Sequence, residues 1–229
     1  MARPSMHVEL VDTLGARIAT GELAEGTVIN IGMLEEEFAV SRTVAREAMR
    51  LLESLGLIEA RRRVGLIVTH PSQWDVLSPR VIAWRLSGNS KAEQLRSLTD
   101  LRIAIEPIAA SRAAVRASDA QRNRLIELAA ELRRLGDEGR GDSDDYVTVD
   151  TEFHHTILEA SGNEMFLAMK DAVAAVLEGR RRLGRSPRYP IRHALDLHTR
   201  IADAISSGDY ELAEATSRQQ VTLVRREID

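Results

Sequence analysis

The chain has 229 residues, enough for one large domain or two modest ones, and 44 % of them are hydrophobic while only 3 % are aromatic. It contains no cysteine, which excludes a disulfide framework, a thiolate nucleophile and a Cys-ligated metal, and fits a cytoplasmic protein. No apolar run approaches the roughly 20 residues of a membrane span, the N-terminal MARPSMHVELVDTLG lacks a signal-peptide core, and a net charge of −4 excludes a basic nucleic-acid coat.

Residues 1–71 read as a small N-terminal module. Val8, Val11, Leu14 and Ile18 make a helical stripe that Gly21 is placed to stop. Gly26 opens a turn into residues 28–31, and a short second helix is expected over Met33–Phe38. Ser41 is a natural N-cap for a third helix that runs to about Leu55 on Val44, Ala48, Leu51, Leu52 and Leu55, and Gly56 ends it. The stretch LIEARRRVGLIVTH then reads as two short strands with a turn near Arg62 to Gly65.

Charge is concentrated in this module. Between Val40 and Gly65 six arginines stand against three glutamates, a local +3, so the rest of the chain carries −7. Arg42 and Arg46 share one face of the third helix, with Thr43 beside them. A helix entering the major groove N-terminus first would present these residues to base edges, where the arginine fork matches guanine. Arg61, Arg62 and Arg63 in the hairpin would then lie near phosphates. The plain alternative is a surface helix with solvated arginines. The order of parts, with SRTVAREAMRLLESLGLI at residues 41–58 and Gly65 in the turn, resembles the winged helix-turn-helix of GntR-family bacterial transcription regulators. That resemblance implies DNA contacts by Ser41, Arg42, Thr43, Arg46, Arg61, Arg62, Arg63 and Gly65. Members often open the second helix with an acidic residue and a DNA-binding arginine; Ile31 and Gly32 stand there, so no contact is carried over from that position.

Residues 72–88 read as a connector broken by Pro79 and Gly88, and Trp74 and Trp84 within it are most simply packing anchors between modules. Residues 89–229 read as an all-α antiparallel bundle, with helices at about 92–116, 119–135, 144–160, 163–183, 189–207 and 209–227 and a flexible break at 136–143. The fold class is therefore mainly α. The stretches LTDLRIAIEPIAASRAA, DTEFHHTILEASGN and HTRIADAISSGDYELAEA resemble the FCD effector domain of the FadR-like subfamily, and residues 73–89 look most like regulators of sugar-acid catabolism, galactonate repressors among them.

Asp150 and His154, four apart, share a helix face and suit Zn²⁺ or another divalent ion, and His198 heads another helix that could converge on them. The resemblance makes Asp150, His154 and His198 metal ligands for Zn²⁺, Ni²⁺ or Mn²⁺. The usual third histidine would fall near Val176 and is missing; Glu178 is the nearest carboxylate but on another part of the turn. A polar pocket without metal remains the alternative. His155 is expected at the surface, His193 outside the site, and Asn163 as a helix cap. Arg102 lies beside an expected buried stripe of Leu101, Ile105 and Ile108. It is either a snorkelling surface residue or, as the resemblance implies, a pocket arginine that binds an effector carboxylate along with Asp150, His154 and His198. The whole then implies a homodimeric, ligand-relieved repressor with operator DNA and a small carboxylate effector such as an aldonate as partners. A metal-dependent helical enzyme acting on a small hydroxy acid is the rival, although no H-E-x-x-H, P-loop or G-x-S-x-G occurs.

Overall fold

A computed structural model describes residues 6–88 and 91–228. The first five residues of the 1–71 module and the 88/89 boundary expected after the connector lie outside the described residues. Contacts divide the chain into two compact units, Met1–Lys91 and Ala92–Asp229.

In the first unit, α1 (Met6–Ala19) buries Leu10, Val11, Leu14 and Ile18. Leu10 rather than Val8 completes the stripe, one turn from Leu14. After β1 (Val28–Ile29), α2 (Ile31–Glu37) begins two residues earlier than the sequence suggests. Asn30 explains the shift: its side chain accepts a hydrogen bond from the Gly32 amide at 2.8 Å. Helix α3 (Arg42–Ser54) starts at the expected Ser41 cap and buries Ala45, Ala48, Met49 and Leu52. Between the two helices Ala39 adopts a left-handed φ of 51°, a conformation that costs an L-residue roughly 1–2 kcal/mol. Burial of Val40 next to it, and a hydrogen bond from the Val40 amide to Glu35 O at 3.2 Å, hold the turn.

The wing is a hairpin of β2 (Ile58–Arg61) and β3 (Gly65–Val68), with Ile58 opposite Val68 and Arg61 opposite Gly65. Strand β1 pairs antiparallel to the other edge of β3, giving the order β1-β3-β2. Two residues are too few for an alternation pattern, so this third strand has no sequence signature.

The connector is not free of structure. Helix α4 (Pro79–Ser87) forms within it, with Pro79 at the first helical positions, where the missing N–H is no loss. Both tryptophans pack into the core of the first unit. Trp74 donates through Nε1 to Thr69 Oγ1 at 3.2 Å, and Trp84 to Asp12 Oδ1 at 3.3 Å. The Trp84 ring lies against Gly15 of α1 so closely that an added Cβ would sit 2.5 Å from its atoms. They anchor the connector to the N-terminal unit.

The second unit is a bundle of α5 (Lys91–Arg116), α6 (Asp119–Asp137), α7 (Asp144–Ala160), α8 (Glu164–Leu167), α9 (Lys170–Arg182), α10 (Arg192–Ser207) and α11 (Tyr210–Ile228). Ser118 and Gln121 form a reciprocal capping box at the start of α6. The single helix expected over 163–183 is divided into α8 and α9, and Asn163 caps α8 by accepting from the Met165 amide at 3.0 Å. Pro187 and Pro190 delay the start of α10 to Arg192. The core joins Ala109, Ala113, Leu128, Phe153, Ile157 and Ile205.

Helix α5 departs from the expected stripe. Ile108 is 44 % exposed, and the buried face instead carries Leu98, Arg102, Glu106, Ala109 and Ala113. Of the expected stripe, Leu101 and Ile105 are half-buried, Ile105 against the core, and only Ile108 turns outward; the buried charged pair is what apolar spacing does not register. Among the described residues no helix is long and apolar enough to cross a membrane.

Trp84→Ala removes the main contact of α4 with α1 and is expected to lower the stability of the first unit by about 3–5 kcal/mol. Denaturant unfolding followed by the fluorescence of the remaining Trp74 measures the loss.

Candidate functional site

Two chemically distinct surfaces stand out, one in each unit. In the first, the Ser41 hydroxyl accepts from the Val44 amide at 3.4 Å, which frees the start of α3 to project Arg42, Thr43 and Arg46 into solvent. Arg42 also lies 3.9 Å from Glu35 of α2. Arg50, four residues beyond Arg46, is exposed and extends the same row; its i,i+4 spacing was visible in the sequence but had no role assigned. In the wing, Arg61 is paired with Glu59 at 2.5 Å, while Arg62 and Arg63 are exposed at the turn. Arg63 has a left-handed φ of 65° and Gly65 a φ of 118°. The latter favours glycine and closes the tight turn before β3.

The second surface is a cavity inside the helical unit. Asp150 and His154 come from α7, His198 from α10, and Arg102 from α5, and all four line it. One ligand atom from each of Asp150, His154 and His198 lies within 4.8 Å of the others. His198 Nε2 is 3.0 Å and His154 Nε2 3.5 Å from Asp150 Oδ1. Helical spacing brings the first two together; only the packing of α10 against the bundle brings in the third.

Arg102 is fully buried and continues into a residue that sequence reasoning passed over. Its Nε donates to Glu106 Oε1 at 2.5 Å and its Nη2 to Glu106 Oε2 at 3.2 Å. Glu106 Oε2 also lies 2.9 Å from His154 Nδ1. The Arg–Glu spacing of four was the available signal. Burial alone would raise the Glu106 carboxyl, but Arg102 and His154 bring it down to about 2. Burial likewise acts against ionised Asp150, yet hydrogen bonds from both histidines hold it well below the usual carboxylate range. Burial pushes the His154 imidazole down and Arg102 adds to this, but Glu106 and Asp150 outweigh them and keep it above its ordinary value.

The proton positions test the fit to a metal. Ala194 O, which can only accept, is 3.0 Å from His198 Nδ1, so that nitrogen carries a proton. His198 Nε2 then faces an Asp150 oxygen, and the pair needs positive charge between them, from a second ring proton or a cation. His154 is arranged alike, its Nδ1–H directed to Glu106 and its Nε2 toward Asp150. A carboxylate with two imidazoles whose far N–H groups are anchored on acceptors is a donor set suited to a divalent ion. Arg102 Nη2 lies 3.1 Å from the same His154 nitrogen, so an ion on His154 has to displace that contact.

The position near the missing histidine, Val176, is buried core, and α9 instead turns Leu177 and Arg180 to the cavity. Glu178 pairs with Arg181 and Arg182 and does not line it. His155 is half-buried, with Nε2 2.8 Å from Lys170 O, and His193 meets Gln219. Gln220 of α11 lines the cavity, a residue that carried no sequence signal. Over the site runs the 183–191 segment, clasped to the α6–α7 loop by Gly141 N to Arg188 O at 2.9 Å and Arg188 Nε to Gly139 O at 3.1 Å. The 136–143 stretch, expected as a flexible break, is thus partly helix and partly a latch.

The family described as FCD domain matches residues 97–222, and the one described as bacterial regulatory proteins, gntR family, matches residues 7–68. The HTH-type transcriptional regulator YieP of Escherichia coli (strain K12) is 29 % identical over 93 % of this chain and 90 % of its own. The galactonate operon transcriptional repressor of the same organism is 27 % identical over 96 % and 95 %. Among solved structures, Lar of Listeria monocytogenes superposes with a TM-score of 0.68 at 16 % identity, over 100 % of this chain and 98 % of that one, a likeness of fold.

Glu106→Ala strands the buried Arg102 charge and leaves His154 Nδ1 without its acceptor. It is expected to destabilise the helical unit by about 3–5 kcal/mol, whereas the double variant Arg102→Met with Glu106→Leu, which removes both charges, should lose clearly less. Urea unfolding followed by circular dichroism compares the two.

Proposed function

The chain belongs to the gntR family of bacterial regulatory proteins and carries an FCD domain, and from that premise we propose a sequence-specific DNA-binding repressor relieved by a small carboxylate. The observation that carries this reading is the pairing of two surfaces in one chain. A Ser-capped, arginine-bearing helix with a basic wing lies in one unit, and a buried Arg–Asp–His cavity in the other.

In this reading Arg42 and Arg46, with Ser41 and Thr43, meet base edges in the major groove. Arg61, Arg62, Arg63 and the Gly65 turn meet the phosphate backbone. The chain acts as a homodimer on a two-fold related operator, as paired readers on a duplex do. Arg102, Asp150, His154 and His198 take the effector, an organic acid of the class to which aldonates belong; one relative is named for a galactonate operon. Effector binding favours the arrangement of the two readers that no longer fits both half-sites, through its different affinity for the two states. Asp150, His154 and His198 hold a divalent ion, Zn²⁺, Ni²⁺ or Mn²⁺, which supplies a Lewis-acidic point for an effector oxygen.

Arg42→Ala and Arg46→Ala should each reduce discrimination between operator and random DNA by roughly 1–3 kcal/mol. Arg62→Ala should weaken binding to both alike and flatten the salt dependence. Footprinting and salt titration on selected operator fragments separate the two behaviours; unchanged footprints for both helix variants would remove α3 as the reader.

For the metal, tag-free protein should gain thermal stability with Zn²⁺, Ni²⁺ or Mn²⁺, by mass action on the folded state. Asp150→Ala and His154→Ala should lose both the bound ion and the gain. A wild-type protein that carries no metal and gains nothing from any of the three ions would make this a metal-free pocket.

A further inference from the structure

The start of the proposed reader helix has beside it a carboxylate that base reading leaves unexplained. Glu35 stands on α2, ahead of the turn into α3, and its Oε1 lies 3.9 Å from Arg42 Nε. That oxygen is buried and makes no hydrogen bond, although the side chain as a whole is 28 % exposed. Two nearby carboxylates are engaged: Glu37 accepts from Arg17 Nη1 at 3.1 Å, and Glu53 from the Ala60 amide at 3.2 Å. A buried carboxylate oxygen without a donor is a desolvated charge left unmatched. A donor brought about 1 Å closer would relieve it.

The backbone of Glu35 is held in place. Its carbonyl accepts the Val40 amide at 3.2 Å across the turn, beside the left-handed Ala39. Leu34 next to it is buried in the core of the unit. The root of the side chain is therefore fixed relative to Ser41 and the first turn of α3. Arg42, by contrast, is 69 % exposed, and a long exposed arginine samples many rotamers.

The five N–H groups of a guanidinium divide between Nε and the two Nη nitrogens. A carboxylate on Nε leaves the Nη1–Nη2 fork free, and guanine offers O6 and N7 to such a fork. As a duplex closes over the helix, water leaves the surroundings of Arg42, and the attraction between guanidinium and carboxylate grows. The same carboxylate then stands among phosphates of its own sign, which works against every DNA sequence alike. Its two effects are opposed. It weakens generic contact, and it favours the one geometry in which Arg42 faces a guanine edge.

We infer that Glu35 is a positioning residue of the DNA-reading surface: by holding Arg42 Nε it aims the guanidinium fork at a base, and it lowers affinity for unrelated sequence. The inference rests on the proposed role of Arg42 as a base reader.

Binding of the full-length protein to a selected operator fragment and to random duplex, followed by fluorescence anisotropy over a range of salt, tests it in Glu35→Gln, Arg42→Ala and the double variant. Glu35→Gln keeps the shape of the side chain and removes its charge. It should bind random duplex about 2- to 5-fold more tightly at low salt, and its operator-to-random ratio should fall by roughly 3- to 10-fold. In the Arg42→Ala background the same substitution should leave the ratio where Arg42→Ala alone puts it, because the arginine that Glu35 aims is gone. An unchanged ratio in Glu35→Gln overturns the inference, and so does an equal fall with and without Arg42. Random-duplex binding no tighter than that of the wild type overturns it too, including the case of a folding defect that weakens both duplexes alike. An Arg42→Ala variant that keeps the wild-type ratio overturns the reader assignment itself, a failure distinct from that of Glu35.

Discussion

A run of buried charge through the helical unit sets the terms for the rest of it. From Arg102 it passes to Glu106, His154, Asp150 and His198, and every step is a hydrogen bond or ion pair among side chains almost without solvent contact. Such a chain is costly to bury, because each ion gives up its water. It persists only if helices α5, α7 and α10 keep their registers, since a shift of one residue would turn a charge into the aliphatic core. The alanine-rich face of α5 and Phe153 on α7 fit this demand. Small side chains let the helices approach, and the phenyl ring stands edge-on to both imidazoles.

The same economy explains why the cavity has the chemistry it has. Glu106 accepts from Nε and Nη2 of the guanidinium and from one imidazole N–H, and Arg102 so held lines the cavity. Without Glu106 the arginine would be an uncompensated charge; with it, the arginine is a rigid cation whose Nη1 makes no hydrogen bond. Rigid placement favours binding, because little side-chain freedom remains to be lost when a ligand arrives. The clasp between the 183–191 segment and the α6–α7 loop borders the same space, with Pro187 and Pro190 in its lining.

In the first unit the governing constraint is different. The three-helix core is held by ordinary aliphatic packing, with Trp84 keyed against Gly15, and the arginines are left outside it. Arg61 is held by Glu59, and Arg42 lies near Glu35, so the basic face is partly neutralised at its edges while Arg46, Arg50, Arg62 and Arg63 stay open to solvent. A surface of this kind matches a polyanion through many weak contacts, and the capped helix start adds direction to them.

The mainly α class, the Ser41-capped helix, the basic hairpin, the Asp150–His154 pair and the family were legible in the sequence, because each is a local pattern of a few residues or a motif of fixed spacing. Three features were not. The third wing strand is two residues long and exists only by pairing with β3. On α5 Ile108 was expected inside and is exposed, and Glu106 was passed over, because its buried charge is compensated by an arginine one turn away and a histidine from another helix, which apolar spacing cannot register. Gln220 and Leu177 reach the cavity through the packing of α11 and α9, more than 100 and 70 residues from Arg102 along the chain. Local sequence determines which side chains share a helix face; which faces then enclose a common space is decided by helix packing, a long-range property that periodicity does not encode.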